Sequence, residues 1–138
     1  MAGFEFRYRI GGGAPTVQTV IAKDTETLTK GDILNLESGE ADLGATADAN
    51  LLGVALETKA HTDSTTTTEV ITDDDAVYAV TDANARVIGA TLDLAGATGA
   101  QTVAASSNKE FVVVADSPAT EQTLVRINVG KHFANKAQ

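Results

Sequence analysis

Residues 111–129 read FVVVADSPATEQTLVRINV. Phe111 to Ala115 is an unbroken apolar run rich in β-branched valine, the composition that suits a pleated sheet. After the turn residues Ser117 to Gln122, the segment Thr123 to Val129 alternates. Val125, Ile127 and Val129 fall on one side and Leu124, Arg126 and Asn128 on the other, the period of two of a strand.

The same rhythm runs outward through the chain. VQTVIA (17–22), DILNL (32–36), LLGVALE (51–57), TTTTEVI (65–71), AVYAV (76–80) and VIGATLDLAG (87–96) all read as strands, the last broken by Gly89 and Gly96. Gly53 within LLGVALE marks a bulge or a close backbone approach. Between these runs lie KGD (30–32), TDDD (72–75) and TDANA (81–85) as turns, ESGEADLGATADAN (37–50) as a long acidic loop, and a polar tail after Val129. Residues 41–50 and 82–87 are the only helix candidates, and neither carries an apolar face beyond one turn. Eight to ten short strands at spacings of about 8–14 residues predict an all-β fold, a compact sandwich or barrel-like domain. At 138 residues this is one domain. With no cysteine, packing and pairing alone hold it together.

The formal charge of −9 argues against DNA or an anionic membrane as partner, because neutralising phosphates needs a basic face. No stretch approaches the apolar length of a membrane span. The N-terminus lacks a basic head followed by an apolar run, so no signal peptide is expected. Chemistry is equally sparse. His61 stands beside Asp63 and Ser64, but adjacency along a loop does not build a triad, and His61 and His132 both read as exposed. Asp73–Asp75 lack the spacing of a cation loop. Glu37, Glu40, Asp42 and Asp48 read as a solvated acidic loop, with a gathering round an ion as the alternative. GGGAP (11–15) is followed by a strand and not by the helix a phosphate loop needs. The expectation is no enzyme, no metal and no cofactor.

The N-terminus is the distinctive segment. Phe4, Phe6, Tyr8 and Ile10 alternate with Glu5, Arg7 and Arg9, and they include half of the six aromatic residues. Gly11, Gly12 and Gly13 follow as a flexible hinge. Residues 1–15 therefore read as an extended arm and joint, 16–130 as a β-rich body and 131–138 as a polar tail. Phe4, Phe6, Arg7, Tyr8, Arg9 and Ile10 are the candidate docking residues, with the arm completing a partner's sheet edge. On that reading, removing residues 1–13 leaves the body folded and abolishes docking. The same alternation also fits a first strand of the chain's own sheet, or one pairing with a neighbouring subunit.

KGDILNL (30–36), then LLGVALE (51–57), then TEV and AVYAV (68–80) form an ordered pattern in which Gly31, Asp32, Gly53, Val54 and Ala55 stand out. This pattern resembles the small head decoration (cement) proteins of tailed bacteriophages. The resemblance covers about a third of the chain. It implies a β-tulip-type domain with an N-terminal arm, a homotrimer, and the major capsid protein as partner. The place of action is the outer capsid surface of the virion, after synthesis in the host cytoplasm. The long acidic loop and the polar tail depart from that pattern. A tail-tube or fibre subunit, or a ligand-binding β-module of a bacterial surface, are the alternatives.

Overall fold

A computed structural model describes residues 3–23, 26–60, 66–105, 107–117 and 120–135. These form strands β1 (Phe4–Arg9), β2 (Val17–Ile21), β3 (Thr27–Leu28), β4 (Ile33–Glu37), β5 (Glu40–Leu43), β6 (Leu51–Ala55) and β7 (Lys59–Ala60). They continue with β8 (Thr67–Ile71), β9 (Ala76–Thr81), β10 (Thr91–Ala95), β11 (Thr102–Ala105), β12 (Phe111–Ser117) and β13 (Gln122–Ile127). Two short 3₁₀ turns, Val129–Lys131 and Phe133–Asn135, follow. The chain is all-β as expected, with more strands than the turn signals mark.

One sheet has six strands in the order β1-β9-β13-β12-β10-β11, and another has five in the order β2-β8-β6-β4-β5. Neither closes on itself, and β3 pairs with β7 separately. The segment of Phe111–Ile127 forms adjacent antiparallel strands, β12 and β13, at the centre of the six-stranded sheet. The larger core joins both sheets: Phe4, Tyr78, Leu94, Phe111, Val113 and Val125 from one meet Ile33, Leu51, Val54 and Ile71 from the other. A second core of Ala22, Leu28, Leu34, Leu52 and Val70 includes strands of the five-stranded sheet and β3. That sheet contributes to two cores, which is why LLGVA reads as a continuous apolar run and not as an alternation.

Gly53 sits where the packing is tightest. Its φ is 144°, and a Cβ there would lie 1.7 Å from the Ile71 carbonyl oxygen. Only glycine allows β6 and β8 to approach this closely.

Two expectations need correction. The acidic segment 37–50 is not all loop, because Glu37 and Glu40 pair across the two-residue turn Ser38–Gly39 to start β5. Both turn residues have positive φ, at 51° and 80°, the conformation of a tight hairpin. The tail after Val129 is not a free polar end in its described part. His132 is fully buried, pairs with Leu51 in a parallel bridge, and places Nε2 2.9 Å from the Thr72 carbonyl oxygen. Burial pushes the His132 pKa down. In the neutral ring Nε2–H donates to Thr72 and Nδ1 accepts the Ala134 N–H.

The chain just past β2 reaches across to β5, the far edge strand of the five-stranded sheet. Ala22 bridges Ala41, and the Lys23 N–H donates to the Ala41 carbonyl at 2.8 Å. Lys23 Nζ lies 3.6 Å from Asp42 and 3.8 Å from Glu37. Glu26 accepts the Leu43 N–H at 3.1 Å. Burial pushes the Glu26 carboxyl up to about 7, and its hydrogen bond with Asp42 adds to the rise. Burial opposes ionisation of Asp42 as well, but hydrogen bonds with Glu26 and Glu37 and the Lys23 charge hold it below its usual value. Glu26 thus binds its proton more tightly in the fold than in the unfolded chain. Its contribution to stability is present below its ordinary 4.5 and is lost as pH rises through about 7. Asp42 acts with the opposite sign, its contribution being lost as pH falls below its ordinary range. Glu26→Gln, which keeps a donor at every pH, is expected to flatten the decline in Tm between about pH 5 and pH 8. A variant whose Tm declines as steeply as the parent's places the cause elsewhere.

Candidate functional site

The N-terminal segment is not an arm held away from the body. β1 pairs antiparallel with β9 as an edge strand of the six-stranded sheet, from Phe4 opposite Val80 to Arg9 opposite Ala76. Phe4 is buried and stacks on Phe111 with ring centroids 5.1 Å apart. Phe6 packs half-buried against the same core. Between Phe6 and Tyr8 the register shifts, because Phe6 opposes Tyr78 and Tyr8 opposes the very next residue, Val77. An extra residue in one strand reverses the facing of everything after it. The bulge therefore divides the apolar set, sending Phe4 and Phe6 inward and leaving Tyr8 and Ile10 44% and 52% exposed.

The glycine hinge is also corrected: the Asp73–Asp75 turn ties the segment down on both sides. Asp75 accepts the Gly11 N–H at 2.8 Å and Arg9 Nε at 2.9 Å, its backbone carbonyl accepts the Ile10 N–H, and Asp73 accepts the Thr16 N–H at 2.6 Å. Arg9 Nε also lies 3.4 Å from Asp73. The hydrogen bond from Arg9 is the main cause that holds Asp75 below the usual carboxylate range. Gly12 and Gly13, both at positive φ, shape the turn that Gly12 closes through its N–H to the Arg9 carbonyl. Asp73 and Asp75 thus anchor a glycine-rich turn, and Arg9 is matched within the chain. Arg7 remains exposed, 3.6 Å from Glu5 and 3.4 Å from Gln122.

The residues of the ordered sequence pattern converge around β6. Gly31 N–H donates to the Ala55 carbonyl, Ala55 N–H donates to the Asp32 carbonyl, and the Gly31 carbonyl accepts the Phe4 N–H at 2.8 Å. Asp32 is buried and its carboxylate accepts from Thr29 N, Thr98 Oγ1 and Gly99 N at 2.8, 2.6 and 2.9 Å. Val54 and Ala55 are buried in the larger and smaller cores. Gly31, Asp32, Gly53, Val54 and Ala55 are therefore structural residues, tying β1, β4, β6 and the β10–β11 turn together.

The exposed side chains outline an interaction surface. Among the described residues, Tyr8, Ile10, Val17 and Ile21 are four of the seven exposed large hydrophobics, all within fourteen residues of chain. β1 and β2 are the edge strands of their respective sheets. Ile10 and Val17 flank the Asp73–Asp75 anchor, which fixes their backbone. At the seam between the sheets, Phe4, Phe6, Val54, Leu56 and Ile71 line a cleft of about 250 Å³. Beyond Tyr8 lies a larger open groove of about 420 Å³, lined by Arg7, Tyr8, Ala115, Asp116, Gln122 and Leu124.

Three more exposed hydrophobics lie elsewhere: Val129, and the neighbours Val87 and Ile88 at 75% and 70% exposure. Sequence reasoning passed over Val87 and Ile88, because an apolar pair ahead of a glycine reads as a strand. Instead Val87–Ala90 is a turn, closed by Ala90 N–H to the Val87 carbonyl.

His61, Asp63 and Ser64 lie outside the described residues. Among the described residues, no three His, Asp or Glu side chains gather as a metal cluster would. No family model matches the chain, and no curated protein matches it.

Proposed function

We propose that this chain is a decoration protein of a tailed-phage head, binding the outer capsid surface and bridging neighbouring major capsid subunits. The observation that carries this reading is the concentration of exposed Ile10, Val17 and Ile21 at the end of edge strand β1 and along edge strand β2 of an acidic β-body. The ordered pattern around Gly31, Asp32 and Gly53 supports it. In this reading the two sheets make a β-tulip-type sandwich, and the docking surface narrows from the whole N-terminal segment to its outward side chains. Phe4 and Phe6 serve the core, and Arg9 serves the Asp73–Asp75 anchor. Each docking side chain contributes about 1.5–3 kcal/mol when buried. That is modest against the cost of association. A homotrimer presenting three such surfaces gains avidity without new contacts.

Co-sedimentation with purified expanded heads tests the reading. The Ile10→Asp/Ile21→Asp double variant, checked for native circular dichroism, is expected to bind at least about 100-fold more weakly. Undiminished binding by the folded variant, or no binding by the parent protein, overturns it.

A further inference from the structure

We infer that an extended segment of a partner protein, aliphatic in its middle and basic at both ends, adds to the free edge of β2 as a sixth strand of that sheet. β2 pairs with β8 on one side only. The ladder fixes which backbone groups that pairing uses. Ala22 N–H donates to the Thr66 carbonyl at 2.9 Å, and Thr72 N–H to the Thr16 carbonyl at 3.1 Å. Bonded residues alternate in an antiparallel pair, so Gln18 and Val20 also face β8. The N–H and carbonyl groups of Val17, Thr19 and Ile21 point the other way, where among the described residues no strand pairs with them. The bonds to β5 begin only beyond β2, where the Lys23 N–H donates to the Ala41 carbonyl. Edge strands are ordinarily blunted by charge, proline or a bulge. β1 has its bulge with Glu5, Arg7 and Arg9, and β5 has Glu40 and Asp42. β11 is uncharged but carries no exposed large hydrophobic. VQTVI has no charge and no proline, its register with β8 is unbroken, and two of its aliphatic side chains are exposed.

Both faces of β2 give such a strand something to cover. Val17 and Ile21 are exposed on one face, with Thr19 between them. Val20, on the other face, is only half-buried against the smaller core. An added strand sets its own alternate side chains beside these, as cross-strand neighbours do. Charge selects the occupant. At the Val17 end stand Asp73, Asp74 and Asp75 against Arg9 and Arg126, whose guanidinium donates to the Asp74 carbonyl. At the Ile21 end Glu26, Glu37 and Asp42 gather round Lys23, while Lys59 is matched by Glu57 at 3.1 Å. Between the two ends Glu69 accepts the Thr19 hydroxyl at 2.7 Å. Acid thus outnumbers base at each end of an uncharged edge. A second copy of β2 brings the same acids to both ends and is repelled, whereas Lys or Arg flanking an aliphatic strand is attracted. This mode of docking rests on the reading above for the capsid as natural partner, but not for the edge itself.

The probe is the synthetic peptide acetyl-KVTVTVK-amide, titrated against the protein by calorimetry, with acetyl-EVTVTVE-amide as its charge-reversed control. Thr19→Pro removes one outward N–H and leaves the β8 ladder bonded, a position where an edge strand accepts proline. Thr19→Ala removes only the side chain. The parent is expected to bind the lysine peptide, with the Thr19 and Ile21 amides exchanging hydrogen at least about 10-fold more slowly in the complex. Thr19→Ala is expected to bind it as the parent does and Thr19→Pro about 10-fold more weakly, and the parent to bind the glutamate peptide about 10-fold more weakly than the lysine one. Circular dichroism and a thermal melt establish that each variant is folded, and the exchange of the parent's two amides decides if Thr19→Pro does not fold. No binding of the lysine peptide, unchanged exchange at Thr19 and Ile21, equal binding of the two peptides, or a folded Thr19→Pro that binds as the parent does overturns the inference. Self-association of the parent that Thr19→Pro abolishes also overturns it, giving the edge to a second copy. Expanded heads bound equally by the parent and Thr19→Pro keep the decoration reading and overturn strand addition. Peptide binding at this edge without binding to heads keeps the strand addition and overturns the decoration reading.

Discussion

Gly53→Ala is expected to cost on the order of 4 kcal/mol and to lower Tm by roughly 10–20 °C. The added Cβ would stand 1.7 Å from the Ile71 carbonyl oxygen and 3.0 Å from the Tyr78 hydroxyl oxygen. Neither neighbour gives way easily, since Ile71 is ladder backbone and Tyr78 is fully buried. Overpacking of this kind costs about 1–3 kcal/mol. Placing a side chain at φ 144° adds about 1–3 kcal/mol of backbone strain. Against a total stability of about 5–15 kcal/mol, the loss threatens folding at physiological temperature. Thermal melts of the parent and the variant check it, and a Tm within a few degrees of the parent's contradicts the close approach of β6 to β8.

Phe4→Ala is expected to cost about 3–5 kcal/mol, as other buried phenylalanine truncations do. Its ring stacks on Phe111 at 5.1 Å, and aromatic pairing adds about 0.5–1.5 kcal/mol to what burial supplies. Urea denaturation should show a lower midpoint with little change in slope. Removing residues 1–13 deletes the whole edge strand and is expected to destabilise further. An extended arm predicts the reverse, a body indifferent to both changes. An unchanged midpoint for Phe4→Ala would return the segment to that role.

The contrast between these two sites shows how far the sequence carries. Gly53 stood out because a glycine inside LLGVALE has no reason to be there unless backbone approaches backbone, and it does. Its neighbours Val54 and Ala55 stood out through the ordered pattern, and both are buried. The eight quoted strand runs were legible through a period of two or, in FVVVA and LLGVALE, through an unbroken apolar run, and each contains a strand. The two-residue strands β3 and β7, by contrast, carry too few residues to show a period, and β5 was hidden because its alternation is masked by charge in EADL. His132 reads as an exposed tail histidine, since nothing local signals that the chain turns back to bury it against β6.

The candidate surface divides along the same line. Composition singled out the N-terminal segment, and Tyr8 and Ile10 do face outward. Alternation alone placed Phe4, Phe6, Tyr8 and Ile10 on one face. One bulged residue undid that, and a bulge depends on which partner strand is present. The triple glycine suggested reach. Its constraint came from Asp73 and Asp75, which are some sixty residues away in sequence.

Local period and glycine placement, which neighbouring residues set, were enough for the all-β class, the main strands and the tight spot at Gly53. Which side chains of residues 4–10 enter the core followed from the pairing of β1 with β9. Long-range contacts likewise anchor the glycine turn and hold Val87 and Ile88 in an exposed turn. Those outcomes depend on register and on long-range carboxylate contacts, and neither leaves a periodic trace in the chain.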